Sequence, residues 1–329
     1  MRISYRYRRV SLLILLTLIS MMMFPTFVLT AQEGGMDPVS SPEPLPTRSP
    51  RPYPWHSVEQ DGVTLEYFFQ TLPQGEARLL HVFGQSASGS PIQQVKSLFL
   101  ERESIFFPAQ SEFWGLLSVD MEQYTHPAHP LVITVDFADG TQVVINSTVE
   151  VIVGSFIVQE VSLPADRTYL LDLDIERAEL ARVESLFQTQ TLEMMWDETG
   201  WDWPIPSALT SPFGAFRVFN NSLNTRHTGW DIRASLGQPV FASASGVVVF
   251  TGPLDIRGNY VLIDHGYGIY SGYAHFLQTH VTRGQQVERG QVIGTVGDTG
   301  RTTGPHFHWE MAVNGTWVNS RQFLTLWLP

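Results

Sequence analysis

The sequence contains no cysteine and a single lysine, Lys96. Without cysteine the chain can form neither disulfides nor thiolate sites, so its stability has to come from apolar cores or from a bound metal. A strongly basic domain is also missing beyond residue 31: the net charge is −12 at pH 7, and residues 32–200 carry 8 basic against 25 acidic side chains, whereas residues 201–329 carry 8 against 7. A nucleic-acid-binding protein would present a basic face, so we expect no nucleic-acid partner.

The first 31 residues have the pattern of an export signal. They contain four arginines and no acidic residue, and the arginines precede an apolar run over residues 10–24. A basic stretch followed by an apolar run is typical of a secretory signal peptide, which predicts an exported protein of the cell envelope, periplasmic or extracellular. Cleavage could follow Ala31. An uncleaved membrane anchor is the alternative, because further apolar residues up to Leu29 bring the run close to the length that spans a bilayer. The four arginines are Arg2, Arg6, Arg8 and Arg9.

Three segments of different composition follow. Residues 32–54 contain seven prolines and several serines, which favours an extended tether. Residues 55–163 consist of short apolar and β-branched runs separated by turn residues such as Asp139-Gly140, which predicts a β-sandwich-like domain. In residues 164–200 apolar side chains recur near helical spacing among many charges, which predicts a helical connector.

Residues 201–329 are rich in glycine and β-branched residues and have almost no helical periodicity. This pattern predicts a compact antiparallel β domain, and the fold class is therefore mainly β. The glycine pattern of residues 284–294 would also suit a lipoyl or biotinyl carrier barrel. Such a carrier needs a lysine to modify, and Lys96 lies outside this domain.

Histidines concentrate in the same C-terminal segment, which holds six of the ten in the chain between residues 227 and 308. Imidazole and carboxylate are zinc ligands, and a catalytic zinc site needs three protein ligands with a fourth position left to water. Residues i and i+2 of a strand share a face, so one histidine of a His-x-His pair can bind metal while the other faces a substrate. Four histidines and one aspartate fall into three short patterns: His227-Thr228-Gly229-Trp230-Asp231, Tyr273-Ala274-His275 and His306-Phe307-His308.

Two longer stretches, residues 226–231 and residues 299–310, resemble the signature motifs of the lysostaphin and LytM-type zinc metallopeptidases. Residues 264–268 and 273–275 match the motifs between them, and residues 211–214 resemble the lead-in of that domain. The resemblance covers Trp203 to the C-terminus. It implies a Zn²⁺-dependent endopeptidase that cleaves the peptide stems of bacterial peptidoglycan at their cross-links. By position, it implies zinc ligands His227, Asp231 and His308, and a catalytic pair His275 and His306.

Some members of this family have lost ligands and act as regulators of other cell-wall hydrolases, so a catalytically silent regulator is the alternative function. The presence of both non-ligand histidines favours an active enzyme. A serine hydrolase is disfavoured because Gly-x-Ser-x-Gly is absent, and no His-Glu-x-x-His helix supplies a glutamate base. The duties of general base and oxyanion stabiliser then fall jointly to His275 and His306. A D,D-type cross-link and a glycine bridge would both fit as the bond cleaved. We expect the D,D-type cross-link, because no segment resembles the wall-targeting domains that accompany glycine-bridge cutters.

Other residues of the segment have less specific expectations. His265 is expected to form structural hydrogen bonds at a strand end, and Glu310 either orients an imidazole or has a structural role. His126 and His129 lack a third partner at ligand spacing, so no metal site is expected there. Residues 55–163 are predicted to modulate access to the zinc groove, with a passive spacer or a docking surface as the alternatives.

Overall fold

The computed structural model describes residues 50–188 and 191–329. The predicted export segment, residues 1–31, and residues 32–49 of the predicted tether lie outside the described residues. Within the described part, no helix has the length and apolar character needed to cross a membrane.

Residues 56–152 form two five-stranded sheets, with strand orders β1-β2-β4-β8-β7 and β3-β10-β9-β5-β6. Strand β9 shows why the sequence folds this way, because Leu131, Ile133 and Val135 are buried while the residues between them are not. The inward-facing residues of both sheets belong to one apolar cluster, so the sheets pack face to face. The strands are β1 His56–Gln60, β2 Val63–Tyr67, β3 Leu72–Pro73, β4 Ala77–Gly84, β5 Ile92–Phe99, β6 Arg102–Ile105, β7 Phe107–Ala109, β8 Glu112–Ser118, β9 His126–Phe137 and β10 Gln142–Ile152.

The connecting region differs in detail from the expectation of one helical segment. Strand β11, Val158–Val161, pairs in parallel with a strand of the C-terminal region, and a 3₁₀ helix, Ala165–Leu171, follows it. Helix α1 spans Leu173–Leu186 and begins at Asp172, whose side chain accepts a hydrogen bond from the backbone of Asp174. The described residues from 191 to 208 contain neither helix nor strand.

The C-terminal region is built on a ten-stranded sheet whose strand pairs are all antiparallel. The central strands β19 and β22 are almost entirely buried. The prediction of a mainly β protein with a compact C-terminal β domain is confirmed. The elements are β12 Leu209–Ser211, β13 Phe216–Phe219, β14 Leu223–Arg226, β15 Gly229–Ile232, β16 Pro239–Phe241, β17 Gly246–Leu254, β18 Gly258–Gly266, β19 Ile269–Thr279, β20 Gln286–Val287, β21 Val292–Val296, β22 Phe307–Val313, β23 Thr316–Val318 and a 3₁₀ helix Ser320–Leu324.

The two β regions share one apolar core. Leu79 and Trp114 of the sandwich lie in the same buried cluster as Trp201 and Val313 of the C-terminal region. Hydrogen bonds reinforce the contact: the Ser118 hydroxyl donates to the carbonyl of Val313 at 2.9 Å, and the side-chain amide of Asn314 donates to the carbonyl of Leu116 at 2.9 Å. The sandwich is therefore packed against the C-terminal sheet.

Candidate metal centre

The predicted site residues lie close together because of the register in which three neighbouring strands pair. Strands β15 and β22 pair so that Asp231 lies opposite His308. On its other side β22 pairs with β19, whose residue His275 follows the last paired position. His227 lies two residues before β15, and His306 immediately precedes β22. All five predicted site residues consequently lie around the N-terminal end of β22.

Three potential ligand atoms converge at this point. Nε2 of His227 lies 3.0 Å from Oδ1 of Asp231, Nδ1 of His308 lies 2.9 Å from the same oxygen, and the two nitrogens are 2.9 Å apart. Each of the three residues is less than a tenth exposed. Within the described residues this is the one group of three or more histidine, cysteine or acidic side chains close enough to share a metal ion.

The hydrogen-bond partners of the two imidazoles indicate what the group can hold. Nδ1 of His227 lies 2.7 Å from the carbonyl of Pro212, and Nε2 of His308 lies 3.2 Å from Oε1 of the fully buried Glu310. When both rings are neutral and carry the proton on the outer nitrogen, each inner nitrogen directs a lone pair at the carboxylate oxygen. Three acceptors facing one another repel unless a cation lies between them. Two imidazoles and one carboxylate, each fixed by an outer partner, fit Zn²⁺.

The electrostatics favour positive charge at the same position. Burial lowers the pKa of His227 to about 4, against the opposing effect of Asp231, so this ring is neutral. Burial would also lower the pKa of His308, but its hydrogen bonds to Asp231 and Glu310 outweigh burial and raise it. Burial raises the pKa of Asp231, but the proximity of His227 and the positive charge of Arg217 outweigh burial and hold this pKa well below its usual value. The centre is therefore a carboxylate environment that attracts a cation.

Arg217 is a member of the site that the sequence did not reveal. Its guanidinium donates to Oδ2 of Asp231 and, at 2.7 Å, to the hydroxyl of Ser211. The Ser211 hydroxyl donates in turn to Oε1 of Gln159 on β11, at 2.6 Å. Because Oδ2 is engaged in this way, Oδ1 is the oxygen left for the metal.

The two non-ligand histidines lie beside the centre, with their rings 4.9 Å apart. Nδ1 of His275 donates to the carbonyl of Thr299 at 2.8 Å, and Nδ1 of His306 donates to the carbonyl of Gly304 at 2.9 Å. In its neutral form, each ring then has an unprotonated Nε2. For His306 this atom lies 3.6 Å from Oδ1 of Asp231. Burial, followed by the proximity of His306 and His308, holds the pKa of His275 well below its usual value, which keeps it available as a proton acceptor.

The backbone conformation at His275 explains how strand β19 pairs with two different strands along its length. His275 has a φ of 62°, in the left-handed region that non-glycine residues seldom adopt. Up to Ala274 strand β19 pairs with β22, and from Phe276 it pairs with β21. The turn at His275 moves the strand from one partner to the other and directs the imidazole to the site. Strained backbone of this kind is common at functional positions.

The remaining histidines have structural surroundings. Nδ1 of the fully buried His265 lies 2.8 Å from the carbonyl of Ser245, and its Nε2 lies 2.7 Å from the hydroxyl of Ser271. This agrees with a structural role. The rings of His126 and His129 lie 5.5 Å apart on the sandwich, and neither belongs to a three-ligand group in the described part of the chain.

Two cavities adjoin the centre. One, of about 290 Å³, is lined by His275 and His308 and also by helix α1 and residues 120–122 of the sandwich. The second, of about 340 Å³, is lined by Asp231 and His306 and by Gln159 of β11. Both the connecting region and the sandwich therefore border the space beside the predicted catalytic residues.

Comparison with known proteins identifies the C-terminal region. Residues 225–320 match the family model of Peptidase family M23. The peptidoglycan DD-endopeptidase ShyA of Vibrio cholerae serotype O1 is 47% identical over 94 residues, which is 29% of this chain and 22% of that protein. The DD-carboxypeptidase/endopeptidase Mpg of Neisseria meningitidis serogroup B is 46% identical over 112 residues, which is 34% of this chain and 26% of that protein. The chain thus matches about a quarter of the length of these relatives.

A crystal structure of a putative peptidase M23 from Pseudomonas aeruginosa extends the likeness beyond the matched segment. It aligns with a TM-score of 0.56 at 23% identity, over 76% of this chain and 93% of that one. At this identity the alignment shows a common fold and nothing further. The C-terminal region, residues 225–320, thus matches Peptidase family M23, which supports the predicted resemblance of this region to the LytM-type peptidases.

Proposed function

We propose that this protein is a zinc-dependent endopeptidase that hydrolyses peptide cross-links of bacterial peptidoglycan. The observation that carries the proposal is the convergence of Nε2 of His227, Oδ1 of Asp231 and Nδ1 of His308 beside two further imidazoles. The names of the relatives ShyA and Mpg both state a D,D specificity, which supports a D,D-type cross-link as the bond cleaved here.

In the proposed reaction His227, Asp231 and His308 hold the metal. Bound Zn²⁺ polarises a carbonyl and lowers the pKa of water towards about 7. His275 and His306, with unprotonated Nε2 atoms, accept the proton of the attacking water, stabilise charge on the scissile carbonyl oxygen and return the proton to the leaving amine. The export pattern of residues 1–31 supports action in the cell envelope, where peptidoglycan lies.

We propose in addition that the described conformation restricts access to the site. His227, Asp231, His275 and His308 are 3–7% exposed, although the proposed substrate is a large cross-linked polymer. The cavity lined by His275 and His308 is also lined by α1 and residues 120–122, and both of these contribute carboxylates that pair with arginines of the C-terminal domain. These contacts support a covering role rather than a passive spacer.

Mass spectrometry of muropeptides after digestion of purified sacculi tests the activity. We expect zinc-loaded protein to convert cross-linked dimers into monomers, and a His306→Ala variant to leave them intact. If the folded, zinc-loaded protein leaves dimers intact both in sacculi and as soluble muropeptides, the enzyme proposal fails and the silent regulator is favoured. Release of free stem peptides without loss of cross-links would indicate an amidase.

A further inference from the structure

Helix α1 places one buried carboxylate against the C-terminal domain. Glu179 is 4% exposed, whereas most other charged residues of this helix face solvent. Its Oε2 accepts a hydrogen bond from the backbone of Ile256 at 2.6 Å, and its Oε1 accepts from the backbone and the guanidinium of Arg257, both at 3.1 Å. Glu179 lies outside the segment that matches the peptidase family, residues 225–320. A buried carboxylate needs such partners, since an unpaired one would be strongly destabilising.

Arg257 connects this carboxylate to a second one. Its Nε donates to Oε2 of Glu310 at 2.9 Å, and one terminal nitrogen donates to Oε1 at 2.8 Å, while the other terminal nitrogen is the one bound to Glu179. Both carboxylates and the guanidinium are buried. A planar guanidinium held on two edges has little freedom to rotate, so Arg257 fixes the plane of the Glu310 carboxylate.

Glu310 in turn contacts the proposed metal ligand. Its Oε1 lies 3.2 Å from Nε2 of His308, and the Tyr260 hydroxyl donates to its Oε2 at 2.8 Å. A carboxylate that accepts from the outer nitrogen of a ligand histidine sets the orientation of the ring and the basicity of the nitrogen facing the metal. Hydrogen bonds thus run from α1 through Arg257 to Glu310, and the contact of Glu310 with Nε2 of His308 completes the connection.

We infer that Glu179 is a positioning residue for His308, acting through Arg257 and Glu310. The inference rests on the zinc site of the proposed function. Zinc affinity is the suitable measurement. The carbonyl of Arg257 also accepts a hydrogen bond from the backbone of His275, at 2.9 Å. A change in activity would therefore combine the effects on His308 and on His275, whereas zinc affinity reports on the ligand His308.

The first experiment measures zinc binding by metal-stripped, full-length protein in competition with a chromophoric chelator. Loss of an outer partner typically weakens metal binding by about 10 to 100-fold. Since Glu179 acts two side chains away from His308, we expect Glu179→Gln to weaken zinc binding by about tenfold, at the low end of that range. It should also shift the visible absorption bands of the Co²⁺-substituted protein. Asp174→Asn is the matched control, because it removes the same charge from an exposed position of the same helix, and it should change neither measurement.

The second experiment separates positioning from charge. Arg257→Lys keeps every charge of the network, but a lysine ammonium cannot hold two carboxylates in a planar fork. We expect this variant to weaken zinc binding to a similar degree. If Arg257→Lys binds zinc normally while Glu179→Gln does not, the effect of Glu179 is electrostatic and the positioning role is wrong.

The third experiment tests whether Glu179 acts on His308 through Glu310. If Glu179 acts through Glu310, adding Glu179→Gln to a Glu310→Gln protein should change zinc affinity little, whereas independent effects would add. Thermal unfolding of the metal-free proteins checks that each variant is folded. Should Glu310→Gln not fold, the Co²⁺ spectra of Glu179→Gln and Asp174→Asn decide the question.

Two further results would overturn the inference: a folded Glu179→Gln protein with normal zinc affinity and a normal Co²⁺ spectrum, or full additivity with Glu310→Gln. If the unsubstituted protein binds no zinc, the proposed site and this inference fail together. If it binds zinc tightly but cleaves no cross-link, the proposed activity fails and the positioning role of Glu179 stands or falls on the binding measurements.

Discussion

The proposed covering of the groove predicts that Glu176→Gln increases activity. Glu176 lies on α1, and its Oε2 lies 2.7 Å from a terminal nitrogen of Arg301 in the C-terminal domain, with the two side chains only 19% and 7% exposed. Burial opposes ionisation, but Arg301 outweighs it and lowers the pKa of Glu176, so the carboxylate is charged at neutral pH. Glutamine keeps the shape of the side chain and removes the charge that holds Arg301.

The magnitude follows from the burial of the pair. Removing one partner of a fully buried ion pair costs about 3 to 5 kcal/mol, and the partial exposure of Glu176 reduces this to about 2 kcal/mol. A change of about 2 kcal/mol shifts the ratio of covered to open protein by roughly 30-fold. The Glu122 and Arg226 side chains, which also pair, are 64% and 26% exposed. An exposed pair contributes about 0 to 1 kcal/mol, so Glu122→Gln should shift the ratio by no more than roughly fivefold.

The assay is kcat/KM on soluble, cross-linked muropeptides with full-length, zinc-loaded protein. We expect Glu176→Gln to exceed the unsubstituted protein by up to about 30-fold, and Glu122→Gln to exceed it by less, at most about fivefold. Unchanged activity of Glu176→Gln, with zinc content and thermal stability retained, would favour a passive spacer. Lower activity under the same conditions would mean that this region helps to bind substrate and that the covering role is wrong.

Three further predictions concern the histidines. His308→Ala should lose zinc, as measured by metal analysis, and unchanged zinc content would remove it from the ligand set. His306→Ala and His275→Ala should each retain zinc but lose about 10² to 10⁴ in turnover of cross-linked muropeptides, and near-normal turnover of either would show that the catalytic pair is misassigned. Burial lowers the pKa of His265 to about 4. Between pH 6.5 and 4 the unfolded chain therefore binds a proton that the folded chain does not. The free energy of unfolding falls as the pH drops through that window. His265→Gln should therefore lower stability at pH 7 but reduce its loss between pH 6.5 and 4 by about 3 kcal/mol in denaturant titrations, and an unchanged pH dependence would contradict the pKa.

Part of the site could be predicted because its residues are close in sequence or belong to short motifs. The residue types at His227, Asp231 and His308 already indicated zinc, and the structure brings the three together, although their role as ligands stays a proposal. Arg217 and Arg257 could not be predicted in the same way. Their partners depend on which strands become neighbours and in what register. The sequence around a single arginine in a strand does not indicate which residue it will contact. Glu179 was hidden for a similar reason, since a single acid among many on a charged helix does not reveal that it is buried.

The fold was predicted well where the pattern was local. The short apolar and β-branched runs of residues 55–163 predicted strands, and one of these runs, residues 131–137, lies within β9. The connector was predicted less well, because α1 covers only Leu173–Leu186 of residues 164–200. Of the apolar residues in this segment, Leu170 lies in the 3₁₀ helix Ala165–Leu171, and Trp196 packs in the shared apolar core and belongs to no helix. Tertiary packing decided the conformation where local preferences were weak.

The core shared by the sandwich and the C-terminal sheet bears on how the protein unfolds. Leu79 and Trp114 pack in the same cluster as Trp201. A domain boundary at residue 201 would therefore cut through one apolar core and would not coincide with a hinge between two separate cores. Residues packed in one interior lose their partners together, which leads to a single cooperative transition rather than two independent ones. A substitution deep in the sandwich would then reduce the folded population of the whole peptidase, and a sandwich taken from another protein would need a matching apolar face to replace this one.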